Sequence, residues 1–224
     1  MDKKIYIENL SKRRERINYM HQIIKKVKED QICNPLQLDV LLRGYIVLIY
    51  SLWESAFKDL HLFFYNSFKE KKVNELPHKI KNKILCNKLE KAQNKKIKTF
   101  YCFEVLKKEY VDLLETKVKD IDITYFNYFT NNPNLDMLDD FLSFYAFKVL
   151  IKEEIKNKIE YIILARNDIA HSGKQISNFK DDIKDKFSYE EEIDFLQEAT
   201  LEIFNIFNNI INKFEEKYFI FLKE

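Results

Sequence analysis

The stretch LLRGYIVLIYSLWESAFKDLHLFF, residues 41–64, decides the fold because its apolar positions recur with the period of an α-helix. Asn34 and Pro35 precede it as an N-cap and a first helical residue, so the helix is predicted to run from Pro35 to about Lys71. A helix of that length can form the centre of a domain, with other helices packed around it.

Residues that break helices are rare in this chain, which has only two glycines and three prolines among its 224 residues. This composition argues against a turn-rich β protein and favours long helices. The apolar periodicity predicts further helices over residues 3–29, 79–92, 100–118, 135–145, 146–171 and 189–218. Residues 121–126 are interpreted as an extended loop and residues 130–134 as a turn. The predicted fold class is an all-α bundle with long central helices.

The chain is interpreted as one domain, residues 1–224, with a core of about 35–215 and a Lys-rich helical insertion of about 73–118. Its three cysteines are odd in number and widely spaced, which fits neither a disulfide framework nor a zinc site. The N-terminus lacks the apolar segment of a signal peptide, and the most apolar run, Tyr45–Trp53, is too short to span a bilayer. We therefore expect a soluble, cytoplasmic protein that does not act at a membrane.

Charge is unevenly distributed along the chain, although the net charge is only +2. Residues 1–28 carry nine Lys or Arg against three acidic residues, and residues 79–108 carry ten Lys against two Glu. One interpretation is that these are solvated helix faces. The other is that the basic segments form a surface that attracts phosphate groups.

The predicted helix 146–171 ends in the sequence LARNDIAHSG, residues 164–173. One interpretation is an ordinary helix end, in which Arg and His complement the helix dipole and Gly173 forms the C-terminal cap. The other is an active site. Asn167 and His171 are four residues apart and share a face, whereas Arg166 and His171 differ by about 140° around the axis. Arg166 must then lean around the helix, or the site combines groups from more than one chain.

The segment RNDIAHSG, residues 166–173, resembles the motif of the HEPN superfamily, in which an Arg and a polar residue precede a His. It is close to the form Arg-Asn-x-Ile-Ala-His-Gly found in nucleases of bacterial conflict systems, except that Ser172 intervenes before the glycine. Residues 48–58, LIYSLWESAFK, are similar to the second helix of the MAE-type branch, where an aromatic–Glu pair and a Lys recur. The chain as a whole resembles the MAE-type and RiboL-PSP-associated HEPN-like nucleases of bacterial conflict systems. The resemblance covers about residues 35–215 and implies a HEPN-like helical bundle.

This resemblance implies a metal-independent endoribonuclease that acts as a toxin or antiphage effector and needs no cofactor. RNA carries its own nucleophile, the 2′-hydroxyl, so the enzyme must supply proton transfer and charge stabilisation. His171 is expected to act as general base or general acid, since histidine changes charge near neutral pH. Arg166 is expected to hold the phosphate through its planar guanidinium, and Asn167 to orient His171 or the phosphate. The expected products carry a 2′,3′-cyclic phosphate and a 5′-hydroxyl.

The resemblance also implies a symmetric homodimer, because HEPN active sites usually form where two motif helices face each other. Arg166 of one chain would then serve His171 of the other. Asp168 is expected to support the site rather than to act in catalysis, because it points about 100° away from Asn167 around the helix axis.

Glu54 is the second supporting residue, and two interpretations of it are open. It falls eleven residues after Arg43, on nearly the same helix face, which suggests a half-buried ion pair between the two. The resemblance instead implies that Glu54 lies beside the motif and positions its side chains. Lys58, one turn further on, is expected to pair with Glu54 rather than to take part in catalysis.

Three other functions remain open at the sequence level. The chain could be a catalytically silent HEPN module that binds RNA or a protein partner, or a structural helical protein whose motif is only a helix cap. A metal enzyme is disfavoured because no His, Asp or Glu set has the spacing of metal ligands.

An antitoxin or a defence-system partner is an expected binding partner. Control by AMP transfer to a tyrosine two positions after the motif histidine is not expected, because that position is Gly173.

Overall fold

A long central helix organises the computed structural model, which describes residues 2–93, 110–121, 132–145, 147–172 and 189–222. Within those ranges the α-helices are α1 (Lys3–Glu29), α2 (Pro35–Phe68), α3 (His78–Gln93), α4 (Leu135–Phe144), α5 (Glu153–Ser172) and α6 (Tyr189–Leu222). Residues 110–115 are also helical, and 3₁₀ turns occupy Val73–Glu75 and Val118–Asp120. These ranges contain no β-strand beyond one isolated bridge, so the predicted all-α class is confirmed.

The predicted start of the central helix is confirmed in detail. Asn34 and Gln37 form a capping box, in which each side chain accepts a hydrogen bond from the other's backbone N–H at 3.0 Å. Pro35 occupies the first turn, where its missing N–H costs nothing. The buried face of α2 includes Tyr45, Trp53 and many aliphatic and aromatic side chains, which makes it the centre of the core.

Helices α1 and α6 both pack against α2, and they run in opposite directions to each other. The Tyr6 hydroxyl near the start of α1 donates to the Ala56 carbonyl in the second half of α2. The end of α1 reaches the start of α2, where His21 contacts Tyr45, so α1 is antiparallel to α2. Along α6, the ring of Phe207 packs against Trp53 and, further on, that of Phe214 packs against Phe64. Helix α6 is therefore parallel to α2.

The short helix α4 closes the core through aromatic packing. Phe141 lies with its ring centroid 5.6 Å from that of Phe57 and 5.1 Å from that of Phe64. The indole N–H of Trp53 donates to the carbonyl of Pro133 at 2.7 Å, which fixes the turn that leads into α4. Asn132 in that turn has φ of 46°, a left-handed conformation that asparagine tolerates, so the predicted turn is confirmed at this residue.

The helix that carries the motif starts later than predicted, at Glu153 rather than Ala146. Residues 147–152 are not helical, and along them buried Phe147 and Val149 alternate with exposed Lys148 and Leu150. This alternation has the two-residue period of extended chain, which a search for helical periodicity overlooks. The helix predicted over 100–118 is described only from residue 110, and residues 122–126 of the predicted loop lie outside the described ranges.

Helix α2 is the one described helix that is long and apolar enough to cross a membrane by length and composition. The same test is passed by core helices of soluble proteins, and 44% of its most apolar window is buried inside the bundle. The test uses a window of 18 residues. The run Tyr45–Trp53, on which the sequence argument rested, is shorter and by itself cannot span a bilayer. The contacts of α2 with α1, α5 and α6 account for its apolar character through packing.

Candidate active site on helix α5

The motif lies on the last two turns of α5, which packs against α2, α6 and α4. Ile159, Ile162 and Ala165 are buried at three-residue spacing and form the inner face of the helix. Ile169 is partly buried against the same core and extends this face into the motif. The polar motif residues therefore project from the sides and the outer face of a helix that is fixed by apolar packing.

Arg166 is half-buried between two helices and is held by an aromatic ring. Its Cζ atom lies 4.7 Å from the ring centroid of Tyr50 on α2, which is a cation–π contact. Its Nη1 atom donates a hydrogen bond of 3.0 Å to Oδ1 of Asn167. Within the described ranges no carboxylate forms a salt bridge with Arg166. Its positive charge is therefore positioned by neutral groups and remains available to an anion.

Tyr50 is a site residue that the sequence patterns did not single out. It is 2% exposed, and its hydroxyl has no hydrogen-bond partner among the described residues. Burial raises the pKa of this hydroxyl, the charge of Glu54 raises it further, and the charge of Arg166 lowers it. The only signal in the sequence was a tyrosine one turn before Glu54 inside an otherwise apolar run.

Glu54 lies one helical turn after Tyr50 and is paired within its own helix. Its carboxylate accepts a hydrogen bond of 2.6 Å from Nζ of Lys58, as the sequence predicted. The proposed ion pair between Glu54 and Arg43 is wrong, because Arg43 pairs with Asp39 at 2.9 Å. Eleven residues of helix span about 16 Å, which is too far for such a pair. Because Glu54 follows Tyr50 by four residues on α2, its charge lies about one turn from the ring that contacts Arg166.

His171 and Asp168 occupy different environments on the same helix end. His171 is exposed on the last turn, seven residues after Leu164 and so on nearly the same face. Asp168 is half-buried and interacts with another group of the protein. The expected C-terminal cap at Gly173 lies outside the described residues.

The first half of α5 is fixed by polar contacts as well as by packing. Lys158 donates to Glu198 of α6 at 2.7 Å, and the Tyr161 hydroxyl donates to Glu192 at 3.1 Å. The Tyr161 ring also meets Phe195 edge-on, with centroids 5.3 Å apart. No group of three or more His, Cys, Asp or Glu suited to a metal ion occurs in the described residues.

With this geometry established, comparison with known proteins identifies the family. A family model described as RiboL-PSP-HEPN matches residues 8–217, which is nearly the whole chain. The chain belongs to the RiboL-PSP-HEPN family. No curated protein and no solved structure matches it. The expected HEPN membership is thereby confirmed.

HEPN membership indicates a ribonuclease-like or RNA-binding function at the coarse level. The sequence resemblance to the HEPN motif concerns Arg166, Asn167 and His171. The structure brings Arg166 and Asn167 into direct contact and exposes His171 on the next turn. Within one chain, Asn167 bonds to Arg166, whereas the sequence led us to expect that it orients His171 or the phosphate.

Proposed function

We propose that this HEPN protein is a metal-independent endoribonuclease whose catalytic groups are His171, Arg166 and Asn167. One observation carries the proposal: among the described residues, the guanidinium of Arg166 is held by the Tyr50 ring and the Asn167 amide, and no carboxylate pairs with it. A guanidinium neutralised by Asp or Glu would have to break that pair before it bound a phosphate. Arg166 requires no such exchange.

The proposed reaction is an internal transesterification of RNA. The ribose 2′-oxygen attacks the adjacent phosphorus and loses its proton, while the bond from phosphorus to the 5′-oxygen breaks and that oxygen gains a proton. His171 removes the first proton or delivers the second, for which its exposed position on the last turn gives it access. The products are a 2′,3′-cyclic phosphate and a 5′-hydroxyl.

Arg166 stabilises the negative charge that builds up on the non-bridging phosphate oxygens. Its planar donor array can contact two of these oxygens at once, and the Tyr50 ring restricts its orientation in advance. The Asn167 carbonyl already accepts from Arg166, which leaves the amide NH₂ to donate to the same phosphate.

The proposed assembly is a twofold homodimer in which Arg166 of one chain serves His171 of the other. Two observations support it. The residues differ by about 140° around α5, and Leu164, on nearly the same face as His171, is 63% exposed. Val47 and Leu48, which precede Tyr50 on α2, are exposed apolar residues as well. A second copy that covers these side chains would bury apolar surface beside the motif.

The decisive test of the chemistry is cleavage of single-stranded RNA by the purified protein in excess EDTA. We expect cleavage by the wild type and its loss in His171→Ala and Arg166→Ala, with His78→Ala as the matched control at an exposed histidine of α3. Cleavage that persists in both motif variants would refute the assignment. Binding of RNA without cleavage by the wild type would instead favour a catalytically silent module, and neither binding nor cleavage would favour a structural helical protein.

The composite site is tested by mixing two inactive variants. If each site takes Arg166 and His171 from different chains, a heterodimer of Arg166→Ala and His171→Ala contains one intact site and recovers cleavage. If both residues act within one chain, the mixture stays inactive. A monodisperse monomer with full activity would also contradict the dimer.

The biological role proposed is that of a toxin or antiphage effector in the cytoplasm, held in check by an antitoxin or a defence-system partner. Uncontrolled cleavage of cellular RNA should stop growth. Induced expression of the wild type is therefore expected to arrest cells, whereas His171→Ala should be tolerated at the same protein level. If the two proteins are equally toxic, the growth arrest does not result from RNA cleavage.

A further inference from the structure

A groove of about 910 Å³ lies at the start of α5, away from the motif, between α3, α4 and the non-helical segment 147–152. Its lining includes four lysines, Lys79, Lys83, Lys148 and Lys156, which come from three separate parts of the chain. We call this surface the lysine groove.

The charge of the lysine groove is largely uncompensated. Asp139 is the one carboxylate among the described residues that line it. Lys79, Lys83 and Lys148 form no salt bridge within the described part of the chain, and Lys156 pairs only with an exposed glutamate, at 3.4 Å. Nζ of Lys217 lies 5.5 Å from the ring centroid of Phe147, a lining residue; burial lowers the pKa of Lys217, and the charge of Lys79 lowers it further. Among the described residues, the lining therefore carries more positive than negative charge.

Apolar side chains lie beside these charges. Phe147, Val149 and Ile151 line the groove, and Leu150 projects from it with 86% of its surface exposed. An exposed leucine among several lysines provides a binding surface for a ligand that carries both negative charge and flat apolar groups. A single-stranded nucleic acid presents phosphates and unpaired bases together, which suits both features.

The lysine groove is separate from the candidate active site. Lys156 and Arg166 are ten residues apart on α5, which corresponds to about 15 Å along the helix axis. One phosphate cannot contact both. A strand of several nucleotides could bind at both places along the same helix.

We propose that the lysine groove binds the phosphate backbone of single-stranded RNA and holds the substrate at a distance from the cleavage site. This proposal rests on the proposed ribonuclease function for the identity of the ligand. The groove binds RNA through charge and apolar contact, so it recognises a strand with little regard to its sequence.

The first test measures binding of a fluorescent 2′-O-methyl RNA, which lacks the nucleophile and cannot be cleaved. The double variant Lys83→Glu with Lys148→Glu is compared with Lys25→Glu with Lys26→Glu, which makes the same charge change at exposed positions of α1. We expect the groove variant to bind at least about tenfold more weakly at low salt, and its slope of log K against log salt to fall by about 1.4, the value for two lost contacts to a single strand. Equal losses in the two double variants would overturn the proposal.

The second test locates the bound strand with the protein's own thiols. Cys86 is exposed and lines the groove, whereas Cys33 lies between α1 and α2 and serves as an internal control. Bound RNA should slow alkylation of Cys86 several-fold and leave that of Cys33 unchanged, as followed by mass spectrometry. Unchanged alkylation of Cys86 would overturn the proposal. Protection of Cys86 by polyglutamate at lower concentration than by RNA would also overturn it and indicate an acidic protein partner.

These measurements fail independently of the nuclease. The 2′-O-methyl RNA reports binding alone, because it lacks the nucleophile and cannot be cleaved. If the wild type binds RNA through the groove but never cleaves, the proposed function fails and the groove assignment stands. If the wild type cleaves RNA and the groove variant binds it normally, the groove assignment fails, whereas the proposed ribonuclease function is supported.

Discussion

The two halves of α5 are held in different ways. In the first half, Lys158 is bracketed by Glu198 of α6 at 2.7 Å and Glu154 of its own helix at 3.5 Å, and Tyr161 bonds to Glu192. In the second half, Arg166 rests on an aromatic ring and bonds to a neutral amide. Within the part of the chain that the structure describes, the same helix thus has one cation that is paired with carboxylates and one that is not.

This difference separates a structural role from a chemical one. A lysine paired with carboxylates fixes two helices together but offers little charge to a ligand. An arginine supported by a ring is restrained without being neutralised, so it can stabilise an anion without first losing a partner. Substitutions in the second half should therefore affect cleavage, and those in the first half should affect stability.

The largest effect is expected at His171. Substitution by Ala should lower the cleavage rate by about 10²–10⁴, the usual contribution of a general acid or base. Since His171 is exposed at the helix end, the free energy of unfolding should change by no more than about 1 kcal/mol. Cleavage assays and chemical denaturation measure the two quantities. A large loss of stability would show that His171 has a structural role, as is expected of the residues in the first half of α5.

A slightly smaller effect is expected at Arg166. Substitution by Ala should lower the rate by about 10²–10³, as for removal of one preorganised donor to a transition-state anion. Arg166→Lys keeps the charge but loses the planar contact with Tyr50 and the paired donors, so it should recover only a small part of the rate. Full activity of the lysine variant would mean that charge alone is required and that the ring does not position the group.

The contribution of the ring is tested at Tyr50. Tyr50→Leu removes the cation–π contact and should slow cleavage about two- to tenfold, consistent with the energy of such a contact. Tyr50→Phe keeps the ring and removes a buried hydroxyl that has no described partner, so cleavage should persist and stability should hold or rise. If the phenylalanine variant loses as much activity as the leucine variant, the hydroxyl takes part directly.

The smallest effect is expected at Lys158, where only stability should change. Lys158→Ala should reduce the free energy of unfolding by about 0.5–1 kcal/mol, because Glu198 is largely exposed, and leave cleavage unaltered. The hydrogen bond to Glu198 raises the pKa of Lys158 above its usual 10.5. The stabilisation is therefore present below about pH 10.5 and is lost as the pH rises through the higher folded value. Denaturation of both proteins between pH 8 and 11 checks this, and a difference that grows with pH would contradict it.

Sequence patterns were reliable where one helix face decided the outcome. The bounds of α1 and α2 agree with the prediction at their first residues, because capping groups and apolar periodicity coincide there. The start of α5 was placed seven residues too early, because the apolar residues of 147–152 alternate with the period of extended chain. Apolar content alone does not distinguish these two patterns over so short a run.

Contacts between helices are the part that periodicity could not supply. The sequence suggested that Arg43 pairs with Glu54, since both lie on one face, but the partner of each lies one turn away. It also gave no role to Tyr50, because a tyrosine in an apolar run is equally compatible with plain core packing. Its place beneath Arg166 depends on how α5 crosses α2.

By itself the sequence determined the all-α class, the central helix and the polar end of α5, since these depend on local periodicity, capping and a short motif. Only the tertiary structure decided which groups surround that end. Among the described residues, it placed the Tyr50 ring against Arg166 and paired no carboxylate with it, and it brought lysines from three parts of the chain into one groove. Side chains distant in sequence become neighbours only through packing, and the charge available to a ligand depends on those neighbours.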